Sequence, residues 1–240
     1  MVKERDNYKP DGKWTFDDGV TRVFEDMLSR SIPGYSTMRD CVVRIANPIL
    51  TNSPIPRLLD IGSSRGETIY QILDSLPAHV SVTAVGVDSS KPMVDAATDL
   101  FGNFDNVRFV CADATDIEIS PMEYSVITSV LTAQFIPLDV RQHFYKQVHN
   151  GLSFNGAFII VEKILGETPL CQDFLVDIYH RYKSDNGYTD EQIEEKRKAL
   201  QGVLVPLRGS ENERMLNDAG FTNIQRFWQC LNFAGWVAFK

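Results

Sequence analysis

The sequence has little of what several common chemistries require. Its four cysteines, Cys41, Cys111, Cys171 and Cys230, stand far apart and form no CxxC pair. That excludes a zinc finger or a dithiol redox motif, and the four read as buried free thiols of a reducing compartment. There are four histidines, none beside a nucleophile, so the pattern of a hydrolase triad is missing. No apolar run approaches the roughly 20 residues of a membrane span, and the opening MVKERDNYKPDGKW lacks the apolar segment of a signal peptide. Basic residues are the minority, 24 against 32 acidic, for a net charge of -8. Gripping a nucleic-acid backbone needs clustered Lys and Arg, so direct nucleic-acid binding is not expected. These features imply a cytoplasmic, soluble protein without membrane contact or a metal site.

What is present suits one α/β domain. The chain has 240 residues, 43% of them hydrophobic, enough for a sizeable core. Residues 1–13 read as a flexible tail and 14–240 as a single domain. In TFDDGVTRVFEDMLSR, Val20, Val23, Phe24, Met27 and Leu28 share one helical face. A second helix is expected over about 37–50. Strands and helices then alternate: RLLDI, TIYQILDSL, VTAVGVD, KPMVDAATDLF, VRFVCAD, SVITSVLTAQF, VRQHFYKQVHNGL and GAFIIVEKI. The alternation predicts a mostly parallel sheet with helices on both faces. Residues 170–201 read as two helices broken at NGYTDEQ. After the helix ERMLNDAGF, IQRFWQCLNF and GWVAFK form an antiparallel strand pair at the sheet edge. The helices at about 15–50 and 170–201 lie outside the alternation and are natural lid segments over the carboxyl ends of the strands.

The chemistry concentrates in LLDIGSSRGETI, residues 58 to 69. Gly62 and Gly66 permit a tight turn and close backbone approach, and the helix beginning near Glu67 offers free N–H groups. Asp88 ends the second strand, where a carboxylate accepts ribose hydroxyls, and Asp113 ends the third, within reach of an adenine edge. Either aspartate alone could cap a helix, but their placement at the ends of successive strands fits capping poorly. A pyrophosphate turn wants glycine at the position of Ser64. The arrangement therefore favours the Rossmann-like fold of S-adenosyl-L-methionine (SAM)-dependent methyltransferases over a dinucleotide fold.

The segments WTFDDGVTRVFEDMLSRSIPGY, LDIGSSRGET, NGYTDEQIEEKR and AGF…FWQCLNF resemble the carboxy-S-adenosyl-L-methionine synthases over almost the whole chain. The resemblance implies an enzyme that takes SAM and prephenate to carboxy-SAM, phenylpyruvate and water. A proton leaves the sulfonium methyl, and the resulting ylide captures carbon dioxide lost from prephenate. It also implies a homodimer whose product serves a separate tRNA wobble-uridine modifying enzyme. In this sequence the resemblance assigns cofactor contacts to Tyr35, Gly62, Ser63, Ser64, Asp88, Ser89, Asp113, Ala114 and Ser129. It assigns the new carboxylate to Arg197, which lies in one helical segment with Lys196 and follows Tyr188.

Guanidinium suits such a carboxylate because its donors are planar and bidentate. The alternative is that Arg197 belongs to a solvated charged face, since EEKRK surrounds it. Three positions depart from the family. Ser129 stands where the family has an asparagine, Arg65 replaces an apolar residue of the turn, and Ala114 follows Asp113 in place of an isoleucine. Arg65 would point to solvent or bring a second positive charge to the methionine end. His180 would face either the cleft or the outside of a lid. Two other functions remain open at this point: a SAM-dependent methyltransferase acting on a small molecule, and a SAM-binding protein without catalysis.

Overall fold

A computed structural model describes residues 4–102 and 104–240. Eight strands form one sheet. Strands β1 (Arg57–Ile61), β2 (Thr83–Asp88), β3 (Val107–Cys111), β4 (Tyr124–Val130) and β5 (Leu152–Leu165) pair in parallel. The chain closes with β7 (Asn223–Cys230) and β8 (Phe233–Phe239), both antiparallel to their neighbours, in the order β3-β2-β1-β4-β5-β8-β7. Strand β8 is thus interior and only β7 forms the edge, which refines the expected edge pair. A two-residue strand β6 (Leu207–Arg208) pairs with the end of β5. It is too short to leave a period in the sequence.

The strands are near-continuous apolar runs because both sheet faces are covered. Alternation sends Leu59, Val85, Ile127, Phe158 and Ile160 to one face, where they meet Phe144, Tyr145 and Val148 of α5 (Leu138–Gly151) and Leu216 of α8 (Gly209–Asp218). It sends Leu58, Ala84, Val126, Ile159 and Val161 to the other, against Met38, Val42 and Leu50 of α2 (Tyr35–Asn52) and Ile69 and Ile72 of α3 (Glu67–Ser75).

Four helices cap the carboxyl edge. In α1 (Asp18–Ser31) the stripe Val20, Val23, Phe24 and Met27 is buried, and Asp17 caps the helix by accepting from the Val20 N–H at 2.9 Å. This stripe packs with Trp14, with Met93 of α4 (Lys91–Leu100) and with Ala199 of α7 (Asp190–Leu200). The fourth is α6 (Pro169–Asp185), whose Tyr179 packs with Ile32 and Phe233. Helix α7 opens with a reciprocal capping box between Thr189 and Gln192, which is the physical content of the NGYTDEQ break.

Two expectations change. Residues 1–3 lie outside the described residues, but the expected loose tail is anchored at Asp6. Asp6 is 1% exposed. Its carboxylate accepts from the Tyr188 hydroxyl and ion-pairs with the buried Lys196, and its backbone N–H donates to Asp26 Oδ2 at 2.8 Å. An isolated acid in a polar stretch gives no sign of a partner 190 positions away. The cysteines are free, but none is buried: Cys111 and Cys171 are exposed, Cys41 and Cys230 half-buried. Cys111 ends β3, which is the other edge of the sheet, so an apolar strand there still faces solvent at its tip.

Removing one member of a buried ion pair strands the other charge. Asp6→Ala is therefore expected to lower the unfolding free energy by about 3–5 kcal/mol, measured by urea denaturation. A change no larger than that of an exposed acid would refute the anchoring role.

Candidate active site

Strand β1 runs straight into the glycine turn. Gly62 has φ 75°, a left-handed conformation, and a Cβ there would lie 1.9 Å from Thr132 Oγ1, so glycine is required on both counts. The backbone N–H groups of Gly62 and Ser63 donate to the Val87 carbonyl at 2.7 and 2.9 Å. Ser64 is left-handed too, at φ 48°, without being glycine. Its N–H is held by Asp88 Oδ2 at 2.9 Å. Gly66 ends the turn as N-cap of α3, with no side-chain cap, which leaves first-turn N–H groups of that helix available to a ligand.

Both expected aspartates have structural work as well. Asp88 Oδ1 accepts from the Ser90 N–H at 2.8 Å. Asp113 Oδ1 accepts from the N–H and hydroxyl of Thr115 at 2.8 and 2.7 Å. Neither caps a helix: Ser90 is the N-cap of the helix after β2, and Asp113 leads into a turn, so both bonds are local turns to the residue two ahead. A carboxylate has about four acceptor positions, so each aspartate retains capacity for a ligand hydroxyl or amine.

One cavity of about 690 Å³ lies over the carboxyl ends of the strands, inside the size range of small-molecule sites. Tyr35, Gly62, Ser63, Ser64, Asp88, Ser89, Asp113, Ala114 and Arg197 all line it. Ser129 does not. It is fully buried within β4 and its hydroxyl has no partner. With a side-chain period of two, the adjacent Val130 takes the opposite side, and Val130, Leu131 and Thr132 form the wall. Arg65 is absent from the wall and points instead to Glu67, with Nε 3.4 Å from Oε1.

The cavity is polarised. Its acids, Glu67, Asp88 and Asp113, belong to the glycine turn and the ends of β2 and β3. Burial raises the carboxyl pKa of Glu67 and of Asp88. Lys163 of β5, with Lys183 of α6 and Lys196 and Arg197 of α7, supplies the cationic lining. Tyr35 accepts a hydrogen bond from Arg39 Nη1 at 3.4 Å, and burial pushes its phenol up to about 12, so it stays protonated at neutral pH.

Arg197 sits at the half-exposed rim, where Nε and Nη2 hold both oxygens of Glu194 at 2.6 and 2.8 Å. The solvated-face alternative therefore describes its present partner, although the residue also lines the cavity. Tyr188 is occupied elsewhere, in the Asp6 cluster, with Arg30 stacked 4.2 Å over its ring. His180 does face the cavity.

Sequence reading missed Glu67, Lys163, Tyr179 and Lys183. A signal for two of them was present: Tyr179 and Lys183 are four apart in a helix, on the side that carries His180.

Burial lowers the Lys183 ammonium to about 8 from an ordinary 10.5, with Asp6 opposing the shift. Because the folded pKa is the lower one, the penalty for holding this charge is complete below about 8 and gone above about 10.5. Lys183→Met is expected to be more stable than the parent at pH 7, with the gap closing as pH approaches 10.5. Urea midpoints for both proteins across that range test it, and a pH-independent gap would contradict it.

A methyltransferase domain family model matches residues 58–156. Among solved structures, a phosphoethanolamine N-methyltransferase from Haemonchus contortus superposes with TM-score 0.66 at 14% identity, covering 93% of this chain and 58% of that one. Human N-acetylserotonin methyltransferase with SAM gives 0.61 at 13%, covering 93% and 55%. At such identities the likeness concerns the fold, which is the Rossmann-like methyltransferase fold. The carboxy-S-adenosyl-L-methionine synthase of Haemophilus ducreyi is 34% identical over 232 residues, 95% of this chain and 93% of the relative. That of Helicobacter pylori is 33% identical over 230 residues, 95% of each. With that identity over nearly its whole length and a SAM-type turn at the head of its sheet, this chain belongs to the carboxy-S-adenosyl-L-methionine synthase family.

Proposed function

We propose that this transferase converts SAM and prephenate to carboxy-SAM, phenylpyruvate and water, and that its product feeds a separate tRNA wobble-uridine modifying enzyme. The observation that carries the reading is the polarity of a single cavity. Its acidic part suits the hydroxyls and amines of SAM, and its cationic part suits a carboxylate-bearing donor. In this scheme the methyl proton of SAM is lost, its carbon forms a bond to carbon dioxide released by prephenate, and the prephenate hydroxyl departs as water on aromatisation.

The residues present fit SAM. The Ser63 hydroxyl is buried on the cavity wall without a hydrogen-bond partner, a state that costs free energy unless a ligand supplies one. Asp88 and Ser89 would hold the ribose, Asp113 and Ala114 the adenine, and the turn Gly62–Ser63–Ser64 with Tyr35 the methionine end. Arg197 would take the new carboxylate by exchanging one bidentate acid for another. Its present pair with Glu194 is exposed, and exposed pairs contribute at most about 1 kcal/mol, so the exchange is cheap.

The single-domain span 14–240 and a homodimer form part of the same proposal. Leu170 and Phe174 of α6 are 80% and 63% exposed, which supports a covered face in solution. The cytoplasmic setting is likewise proposed; among the described residues no helix is long and apolar enough to cross a membrane. The described residues include no cluster suited to a metal ion, and the scheme uses none.

Incubation with SAM and prephenate, read by mass spectrometry, should yield a nucleotide heavier than SAM by one carbon dioxide together with phenylpyruvate. A methylated acceptor in place of these products would overturn the reading in favour of methyl transfer. Arg197→Ala is expected to weaken carboxy-SAM binding at least about tenfold, the loss of a charged hydrogen-bonded pair, while leaving SAM affinity nearly unchanged by calorimetry. Equal losses for both ligands would remove Arg197 from its assigned role.

A further inference from the structure

Two ammonium groups in the cavity have no acid opposite them. Lys163 lies near the carboxyl end of β5, and Lys183 lies in α6. Their Nζ atoms lie 4.8 and 4.7 Å from the centroid of one ring, that of Tyr179. Among the described residues neither lysine makes an ion pair within 4.0 Å. The nearest acid to act on Lys183 is Asp6, whose carboxylate is already taken by Lys196 and Tyr188. Lys163 feels Lys183 as a repulsion, and Lys163, Lys183 and Arg197 all disfavour a charged His180.

Holding like charges together away from bulk water is unfavourable. The Tyr179 ring offsets part of this through its negative face. A bound anion would offset much more. The cavity's own acids are at the glycine turn and the ends of β2 and β3, and the uncapped first turn of α3 offers N–H groups to the carboxylate that SAM brings. The lysines are left for a second ligand. Arg197 is differently placed, at the rim and already engaged by Glu194.

We propose that Lys163 and Lys183, held against Tyr179, form an anion subsite that seats a carboxylate of the co-substrate. The assignment rests on the proposed reaction and goes beyond it by naming a subsite separate from Arg197. These are binding residues for the donor, and the cofactor does not need them.

The test is a pair of single variants, Lys163→Met and Lys183→Met, with Lys183→Arg as the charge-preserving control. For each methionine variant the KM for prephenate should rise about tenfold or more, as for loss of a charged hydrogen bond, with the SAM Kd unchanged. Lys183→Arg should recover most of the loss. An unchanged KM, or an equal loss of SAM affinity, would overturn the subsite.

If the parent protein fails to turn over prephenate, the proposed reaction falls but the subsite is still testable. SAM-loaded protein would then be titrated calorimetrically with phenylpyruvate and with malonate. Binding by the parent that is lost in both methionine variants upholds the subsite. No binding by the parent, or equal binding by the variants, overturns it.

Discussion

Strands that run parallel all finish at the same edge of the sheet, and that constraint gathers the chemistry of this chain. The ends of β1, β2, β3, β4 and β5 each place a residue or a turn on one cavity. The bond from the Ser64 N–H to Asp88 Oδ2 then joins the first two ends. It holds a non-glycine residue in a left-handed conformation by engaging a carboxylate that also faces the ligand. Turn geometry and the cavity wall at the end of β2 are therefore one unit, and a change in either disturbs both.

The sequence was legible where spacing carries the information. The turn at 62–66 and the aspartates 88 and 113 recur at strand ends, and the apolar stripe of α1 has the helical period. It was least legible where one residue decides. The cofactor contact expected at Ser129 belongs on the wall to its neighbour Val130, because a strand turns its side chain by half a revolution at each step. The four cysteines looked buried from their apolar neighbours, yet Cys111 ends an edge strand and Cys171 lies in the first turn of an outer helix. Lys163 went unnamed because nothing near it in sequence shows that Tyr179 and Lys183 of the lid come to lie beside it. Asp6 was hidden for the same reason.

Family membership gives this chain its SAM fold, and its departures have local explanations. Arg65 enters the turn together with Glu67, and the two pair at 3.4 Å. The extra positive charge is thereby paired with a half-buried acid that itself lines the cavity. Ala114 still packs against the main core, so the smaller side chain does not open the adenine end of the site to the interior.

The Asp6 cluster bears on how the chain acquires its shape during synthesis. The acid leaves the ribosome some 180 to 190 residues before Tyr188 and Lys196. Contacts so distant in sequence close late, and domains grow from the N-terminus as they are made. The glycine turn and the ends of β2 and β3 are all made before the lid helix that completes the cationic lining. A nascent chain therefore holds a half-built, acid-lined cleft, and the Asp6 segment is fastened only after α7 has been made.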